Sequence, residues 1–197
     1  MQDSWVHVGR LWTNGEPFLA LDAALREGWH GSSDDEFDRI VELGPQETSI
    51  LVGSERAALV GGDGVVRDDS WIEVFQAASG TVAIVQASGG DYSEALARAL
   101  EYPTAQDEDG DMLNVRSGAL AIFSGAVDGA GPHSVPLLAA QPGPVPAVHG
   151  PPSRGVDPGL LLATAHTAYK LKVRWYTELD ENNCFARWLL VPVQAKG

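Results

Sequence analysis

The sequence has little of what covalent cross-linking, membrane insertion and secretion require. Cys184 is the only cysteine in 197 residues, so an internal disulfide and a zinc site built on two or more cysteines are excluded. No apolar run reaches the length of about 18 residues that indicates a membrane-spanning helix. Residues 1–5 also lack the basic and apolar segments of a signal peptide. We therefore expect a cytoplasmic protein that does not insert into membranes.

Basic residues are scarce as well. The chain has 13 lysines and arginines against 27 aspartates and glutamates, which gives a net charge of −14 and a pI of about 4.5. A field of this sign repels nucleic acid and anionic membranes and attracts basic proteins. Nucleic acid is therefore excluded as a partner. The charge is open to two interpretations, namely solubility and an acidic docking face for a basic protein.

Motifs that carry catalysis or bind metal are missing too. The sequence has no G-x-S-x-G nucleophile elbow and no Walker loop, and its five histidines have no zinc-ligand spacing. The acidic run 107–111 fails as an EF-hand loop, because Met112 and Gly118 stand where that loop needs glycine and glutamate. We expect a protein that is not an enzyme, with no catalytic residue, no cofactor and no metal.

Alternation and turn signals predict a strand-rich chain. The pair Asn14-Gly15 predicts a hairpin between the apolar segments on either side of it. Two more hairpins are predicted from 48–52 with 57–60, and from 71–75 with 81–85. The acidic segment 104–111 is interpreted as a polar break or loop. Further strands are predicted over 112–123, where Ser117-Gly118 can form a bulge or turn, and over 167–177 and 185–193. The clearest is 167–177, where apolar residues alternate with Lys170, Lys172 and Arg174.

Three short helices are expected among these strands. Asp22 can cap the first, the pair Ser33 and Glu36 forms a capping box for the second, and Asp91 with Glu94 forms one for a third that ends before Pro103. The segment 132–158 is rich in proline and glycine and predicts a long loop. Without regular βαβ alternation, the fold class is α+β, with mostly antiparallel sheet and two or three short helices.

The domain organisation that we expect follows from the same pattern. Residues 1–103 form an N-terminal α+β half. Residues 104–197 form a strand-rich C-terminal half that contains the proline-rich loop. The two halves are expected to pack as one unit, with two sheet layers dividing near residue 105.

Several motifs follow one another in a particular order in the first half. They are Trp5-Val6, Gly15-Glu16-Pro17-Phe18-Leu19-Ala20-Leu21, Leu25, Trp29-His30-Gly31, Asp35-Glu36-Phe37-Asp38-Arg39, Val52-Gly53 and Ala58-Leu59-Val60-Gly61-Gly62-Asp63. This order resembles the immunity-protein family numbered twenty-one among the immunity proteins of polymorphic bacterial toxins. The resemblance covers residues 5–87 and extends more loosely to 117–123 and 169–173.

The resemblance implies a protein that binds a cognate toxin domain in the producing cell and neutralises it by occluding its active site. It supplies no catalytic residue, and Trp5, Gly15, Trp29 and Gly31 are expected to build the fold rather than contact the toxin. The residues that we expect to contact a basic toxin come from the three acidic runs: Asp34, Asp35, Glu36, Asp38, Asp107, Glu108, Asp109, Asp111, Asp180 and Glu181.

Each of these expectations has an alternative. The carboxylates of the first run also stabilise a helix start locally, and the stripe of Lys170, Lys172 and Arg174 is an alternative contact face if the toxin is acidic. A non-catalytic adaptor or scaffold domain would have the same composition. A hydrolase or small-molecule binder using paired carboxylates is the third hypothesis, because spatial pairing of acids is invisible in sequence.

Overall fold

The strands and helices come from a computed structural model, which describes residues 4–44, 46–62, 66, 69–147 and 157–193. The strands in these ranges are β1 (Trp5–Asn14), β2 (Phe18–Asp22), β3 (Ser49–Val52), β4 (Glu55–Val60), β5 (Asp69–Ala77), β6 (Val82–Ser88), β7 (Glu108–Asn114), β8 (Ala119–Ser124), β9 (Leu137–Ala139), β10 (Gly159–Ala163), β11 (Ala168–Glu178) and β12 (Cys184–Pro192). The α-helices are α1 (Phe37–Val41) and α2 (Tyr92–Glu101), and 3₁₀ turns span Ala23–Gly28 and Thr104–Gln106.

These strands form two six-stranded sheets. Sheet A has the order β1-β5-β6-β12-β11-β7, and sheet B has the order β3-β4-β2-β8-β10-β9. Neighbouring strands are antiparallel except for β9 and β10, which are parallel. The prediction of an α+β fold with mostly antiparallel sheets and short helices is confirmed.

The inner faces of the two sheets pack against each other and form the main core. Trp188, Tyr169 and Ile84 of sheet A meet Leu120 and Ile122 of sheet B there. The outer faces are covered as well: α2 packs on sheet A, while Trp29 and α1 pack on sheet B. Cover on both sides explains why β2 is buried at every residue and why its sequence does not alternate.

The first predicted hairpin is wrong. Gly15 has a φ of 101° and does turn the chain, but β1 pairs with β5 in sheet A whereas β2 pairs with β4 and β8 in sheet B. The Asn-Gly turn therefore carries the chain from one sheet to the other. The other two predicted hairpins are confirmed as β3–β4 and β5–β6.

Two predictions further along the chain are corrected in detail. The expected strand 112–123 is two strands, because the chain turns between β7 and β8 at Gly118, which has a φ of 76° and lies at the predicted bulge or turn. The acidic stretch before it, interpreted as a polar break, belongs to β7 from Glu108 onward. The proline-rich segment contains the short edge strand β9, and its residues 148–156 lie outside the described ranges.

The helices also differ from expectation at one point. Asp22 caps the first 3₁₀ turn by accepting from the Ala24 N–H, and Asp91 caps α2 by accepting from the Glu94 N–H, both as predicted. The predicted capping box of Ser33 and Glu36 is wrong. The second helix begins only at Phe37, and no side chain caps its first turn.

The division near residue 103 does not separate the two sheets. Each sheet takes three neighbouring strands from residues before 104 and three from residues after it, and the halves join where β6 pairs with β12 and where β2 pairs with β8. Both halves visit the sheets in the same sequence, first A, then B three times, then A twice. The halves therefore stand side by side, and both layers run through both of them.

Candidate functional site

The second acidic run lies directly against the basic stripe. On β7 and β11, Lys172 Nζ is 2.9 Å from Asp109 Oδ1 and Arg174 Nε is 2.8 Å from Asp107 Oδ1. Lys170 Nζ donates to the carbonyl oxygen of Gly110 at 2.6 Å. The two surfaces predicted as alternative contact faces therefore pair with each other along one strand ladder.

Asp107 is the internal end of this ladder. Its side chain is 0% exposed, and its second oxygen accepts from Arg187 at 2.9 Å. Arg187 is itself buried and also donates to the carbonyl oxygens of Ala99 and Tyr102 at the end of α2. Because both arginines bind the carboxylate, Asp107 has no exposed side-chain surface to offer a partner, and Arg174 has little.

The remaining acids of this run make local contacts. Glu108 accepts from the indole N–H of Trp175 at 2.9 Å, and Asp111 accepts from the Ser49 hydroxyl. Asp109 is exposed, and its hydrogen bond with Lys172 lowers the pKa of its carboxyl below the usual value. The negative charge of this acidic run is therefore largely neutralised by basic side chains of the same chain.

The third run closes the β11–β12 turn. Asp180 accepts from the backbone N–H groups of Asn182 and Asn183 at 3.0 Å and pairs with Arg98 of α2. The backbone hydrogen bond from Asn182 and the contact with Arg98 lower the pKa of Asp180. Glu181 beside it is exposed.

The first run has a different character. Asp34, Asp35 and Asp38 are exposed, and no described residue forms an ion pair with them. Asp35 has a φ of 55°, so it lies in a turn before the helix and not within its first turn. Glu36 is used internally, because it accepts from the His30 N–H at 2.8 Å and pairs with Arg39.

Two further exposed carboxylates, Glu42 and Glu47, follow on the same segment. We call the exposed set the acidic shoulder; it consists of Asp34, Asp35, Asp38, Glu42 and Glu47. The one basic residue between positions 34 and 47 is Arg39, which Glu36 already pairs. The shoulder is therefore an uncompensated patch of negative charge on the surface.

A pocket of about 670 Å³ opens beside the acidic shoulder. It is lined by the β1–β2 turn, by α1 and the turn after it, by the end of β4 and by one side chain of β11. The lining residues are Asn14, Gly15, Glu16, Pro17, Phe37, Ile40, Val41, Leu43, Gly44, Glu47, Leu59, Gly61, Gly62 and Trp175. This volume is in the range of pockets that bind small molecules or side chains.

The pocket combines apolar walls with negative charge. The charged residues in its lining are Glu16 and Glu47. The Glu16 carboxylate accepts from the Asn14 N–H at 3.0 Å, which fixes it at the turn. Val41 at the rim is 68% exposed, an unusual position for a large aliphatic side chain. An apolar cleft with two carboxylate side chains in its lining suits a cation that carries an apolar stem.

Asp157 adds to the negative potential near Glu16. Burial raises the pKa of its carboxyl, and the charge of Glu16 raises it further. A raised pKa means that the folded protein favours the protonated form. The stabilising contribution is therefore present at low pH and lost as the pH rises through the raised pKa.

Asp157→Asn is accordingly expected to stabilise the protein at neutral pH, by less than about 1 kcal/mol because the group is partly exposed. The gain should vanish below the ordinary aspartate pKa of 3.8. Urea unfolding of both proteins at neutral and acidic pH measures this. Equal stability at neutral pH would show that Asp157 bears no electrostatic strain.

A second polar cluster lies buried on the outer face of sheet A. Glu73 is 0% exposed and accepts from His7 Nε2 at 2.7 Å, from the Tyr92 hydroxyl at 3.0 Å and from Arg10. Arg10 also stacks over the ring of Trp71 and donates to the carbonyl oxygen of Pro146. Burial and the Glu73 charge raise the pKa of Tyr92 well above its usual value.

This cluster binds the fold together. The Glu73 carboxylate accepts hydrogen bonds from three side chains of the same chain. The segment around Gly143 is attached to this cluster, because the Gly143 N–H donates to the His7 carbonyl oxygen. The other buried acids are also bonded to donors: Asp22 to the Ser117 N–H and Asp128 to the N–H groups of Ser32 and Ser33. None of the described buried carboxylates is hydrogen-bonded to another carboxylate, as a shared-proton pair would be.

The motif residues behind the family resemblance are placed by the fold. Trp29 is fully buried and its indole N–H donates to the Gly125 carbonyl oxygen at 2.9 Å. A Cβ on Gly31 would collide with that same oxygen, so only glycine fits there. Contacts within the fold therefore account for both residues without a binding partner.

The described ranges contain neither a metal-binding group nor a membrane-spanning helix. No three or more histidine, cysteine, aspartate or glutamate side chains are placed together there to hold a metal ion. Among the described helices, none has both the length and the apolar character to cross a bilayer. Comparison with protein-family models, with curated proteins and with solved structures found no match for this chain.

The pocket is the part of the site that sequence reasoning missed. Its lining residues run from position 14 to position 175, and no local motif connects them. One signal was present: Phe37, Ile40 and Val41 are three apolar residues on a five-residue helix that buries only Ile40. Val41 is exposed and Phe37 is only partly buried, so the helix leaves apolar surface beside the pocket.

Proposed function

We propose that this chain is a partner-binding protein of the polymorphic-toxin immunity type, which acts in the cytoplasm of the producing bacterium. It binds a cognate toxin domain with a basic surface and occludes its active site, without catalysis. The observation that carries the proposal is the acidic shoulder beside the apolar pocket, on the segment where the sequence resembles the immunity family.

The shoulder supports a basic partner. Its five exposed carboxylates have no cation of this chain paired to them in the described ranges, in contrast to Asp107, Asp109 and Asp180. Uncompensated charge at a surface accelerates the encounter with an oppositely charged protein and fixes its orientation. Most of the lasting affinity in such complexes comes from a few buried anchors, for which the apolar pocket provides a place.

The proposal predicts a specific effect of charge reversal. Asp34→Lys with Glu42→Lys is expected to slow association with the toxin by about tenfold or more at low salt, because steering depends on the local field. The partner to use is the protein encoded by the neighbouring reading frame, which the proposal expects to contain a toxin domain. Growth rescue on co-expression and association rates at two salt concentrations measure the effect.

A matched control carries the same change in net charge elsewhere. Glu101→Lys with Glu178→Lys alters two exposed carboxylates, at the end of α2 and at the end of β11. This control should associate at nearly the wild-type rate. Equal slowing in both pairs would mean that only net charge matters and that the shoulder is not the contact. If the wild-type chain neither binds nor neutralises the neighbouring toxin, the proposed function is overturned.

A further inference from the structure

We propose that the pocket lined by Glu16, Phe37, Glu47 and Trp175 receives an arginine side chain of the partner. The inference rests on the proposed function for the partner's identity, and it goes further by assigning the anchor and its chemistry. Arginine fits because the pocket offers carboxylates for a guanidinium group and apolar surface for a three-carbon stem.

Charge is the first argument. Every charged residue in the described lining is an acid, and neither Glu16 nor Glu47 forms an ion pair with a described residue of this chain. Burial raises the pKa of the neighbouring Asp157, and the negative charge of Glu16 raises it further. A cation entering the pocket would relieve this repulsion, whereas a carboxylate or phosphate would increase it.

The aromatic and apolar walls are the second argument. Phe37, Ile40, Leu43 and Leu59 form the apolar part of the lining. The Trp175 indole is held in place, because its N–H donates to Glu108 and its ring meets the Trp188 ring edge-on at 6.4 Å. A fixed indole favours a planar guanidinium, which stacks on aromatic faces better than an ammonium group does.

The experiment uses short peptides, so that it does not depend on any toxin. Acetyl-Gly-Arg-Gly-amide is titrated into the full chain, and the indole N–H resonance of Trp175, assigned with Trp175→Phe, is followed by NMR. Citrulline in place of arginine keeps the length of the side chain and removes its charge, and norleucine keeps only an apolar stem. The arginine peptide is expected to bind about tenfold more tightly than either, as for a partly exposed cation between two carboxylates.

Matched variants test the two carboxylates. Glu16→Gln with Glu47→Gln is expected to weaken arginine-peptide binding by about tenfold. The amide oxygen introduced by Glu16→Gln can still accept from the Asn14 N–H, so the turn is kept. Asp34→Asn with Glu42→Gln removes two charges of the acidic shoulder that lie outside the pocket lining. This variant should change the affinity for the arginine peptide by less than about twofold, because exposed charges at a distance contribute little.

The outcomes separate this inference from the proposed function. Equal binding of the arginine and norleucine peptides, or no shift of Trp175 with any of them, overturns the arginine pocket even if toxin neutralisation is observed. A Trp175 shift that depends on protein concentration without peptide would identify a second copy of the chain as the occupant and also overturn it. Arginine binding without toxin neutralisation would keep the pocket and remove the proposed function.

Discussion

Asp107→Ala is expected to lower the free energy of unfolding by about 3–5 kcal/mol, the cost of breaking a buried ion pair from one side. The carboxylate is 0% exposed and is shared by Arg174 and Arg187. Its removal leaves Arg187, itself 1% exposed, with a buried positive charge and no counter-ion. Urea unfolding at neutral pH, followed by tryptophan fluorescence, measures the loss.

Asp109→Ala is the matched control, because it removes a carboxylate from the same acidic run and the same basic ladder. Asp109 is 63% exposed and pairs with Lys172 at the surface. Exposed pairs of this kind contribute less than about 1 kcal/mol. Equal destabilisation by the two substitutions would contradict the assignment of Asp107 as the internal end of the ladder.

Glu73→Gln is expected to have an effect of similar size, about 3–5 kcal/mol. Glutamine keeps the volume of the side chain but removes the negative charge that balances Arg10. It also cannot accept at both oxygen positions from His7, Arg10 and Tyr92 at once. Arg10 bonds the Pro146 carbonyl oxygen as well, so the segment around Gly143 should lose order together with the cluster.

Thermal unfolding and amide hydrogen exchange measure the two parts of this prediction. Exchange should accelerate at Gly143, whose N–H donates to the His7 carbonyl oxygen at 3.0 Å. Tyr92→Phe is the control, since it removes one hydrogen bond and should cost about 0.5–1.5 kcal/mol. A Glu73→Gln protein as stable as Tyr92→Phe would show that the buried charge is not needed to hold Arg10.

The strands were predictable wherever alternation was local. The segment around Tyr169 and Leu171 alternates apolar and basic residues, and it forms β11 as predicted. The β3–β4 hairpin was also predictable, because Gly53 at its turn adopts a φ of 60°. These elements depend on contacts within a few residues, which the sequence records directly.

Pairing between distant segments was not predictable in the same way. The turn at Gly15 looks like a hairpin because turn chemistry specifies a reversal but not the partner strand. The acidic residues from Glu108 onward were interpreted as a loop, since such residues are depleted in strands. They form a strand because Lys170 and Lys172 lie opposite on β11, about 60 positions later in the chain.

The candidate site was predictable in part. The exposed acids Asp34 and Asp38 were named from the sequence, and they lie on the acidic shoulder. The pocket needed the fold, because Trp175 and Glu16 come from opposite ends of the chain. The sequence could show an excess of acid, but only the structure distinguishes carboxylates that have internal cations from those that have none.

The repeated strand order of the two halves has a consequence for how this protein arose. Six strands that visit the sheets in one order are joined through β6–β12 and β2–β8 to six that visit them in the same order. This is the strand order of an isologous homodimer in a single chain, except that β9 and β10 are parallel whereas β3 and β4 are antiparallel. Such an arrangement is expected from duplication and fusion of a half-length ancestor. The fused copies are then free to diverge: α1 and its pocket lie between β2 and β3, while the equivalent connection between β8 and β9 has no helix in the described residues. The shared strand order forms both sheets, and the difference between these two connections places α1 and the pocket that it lines on one of them.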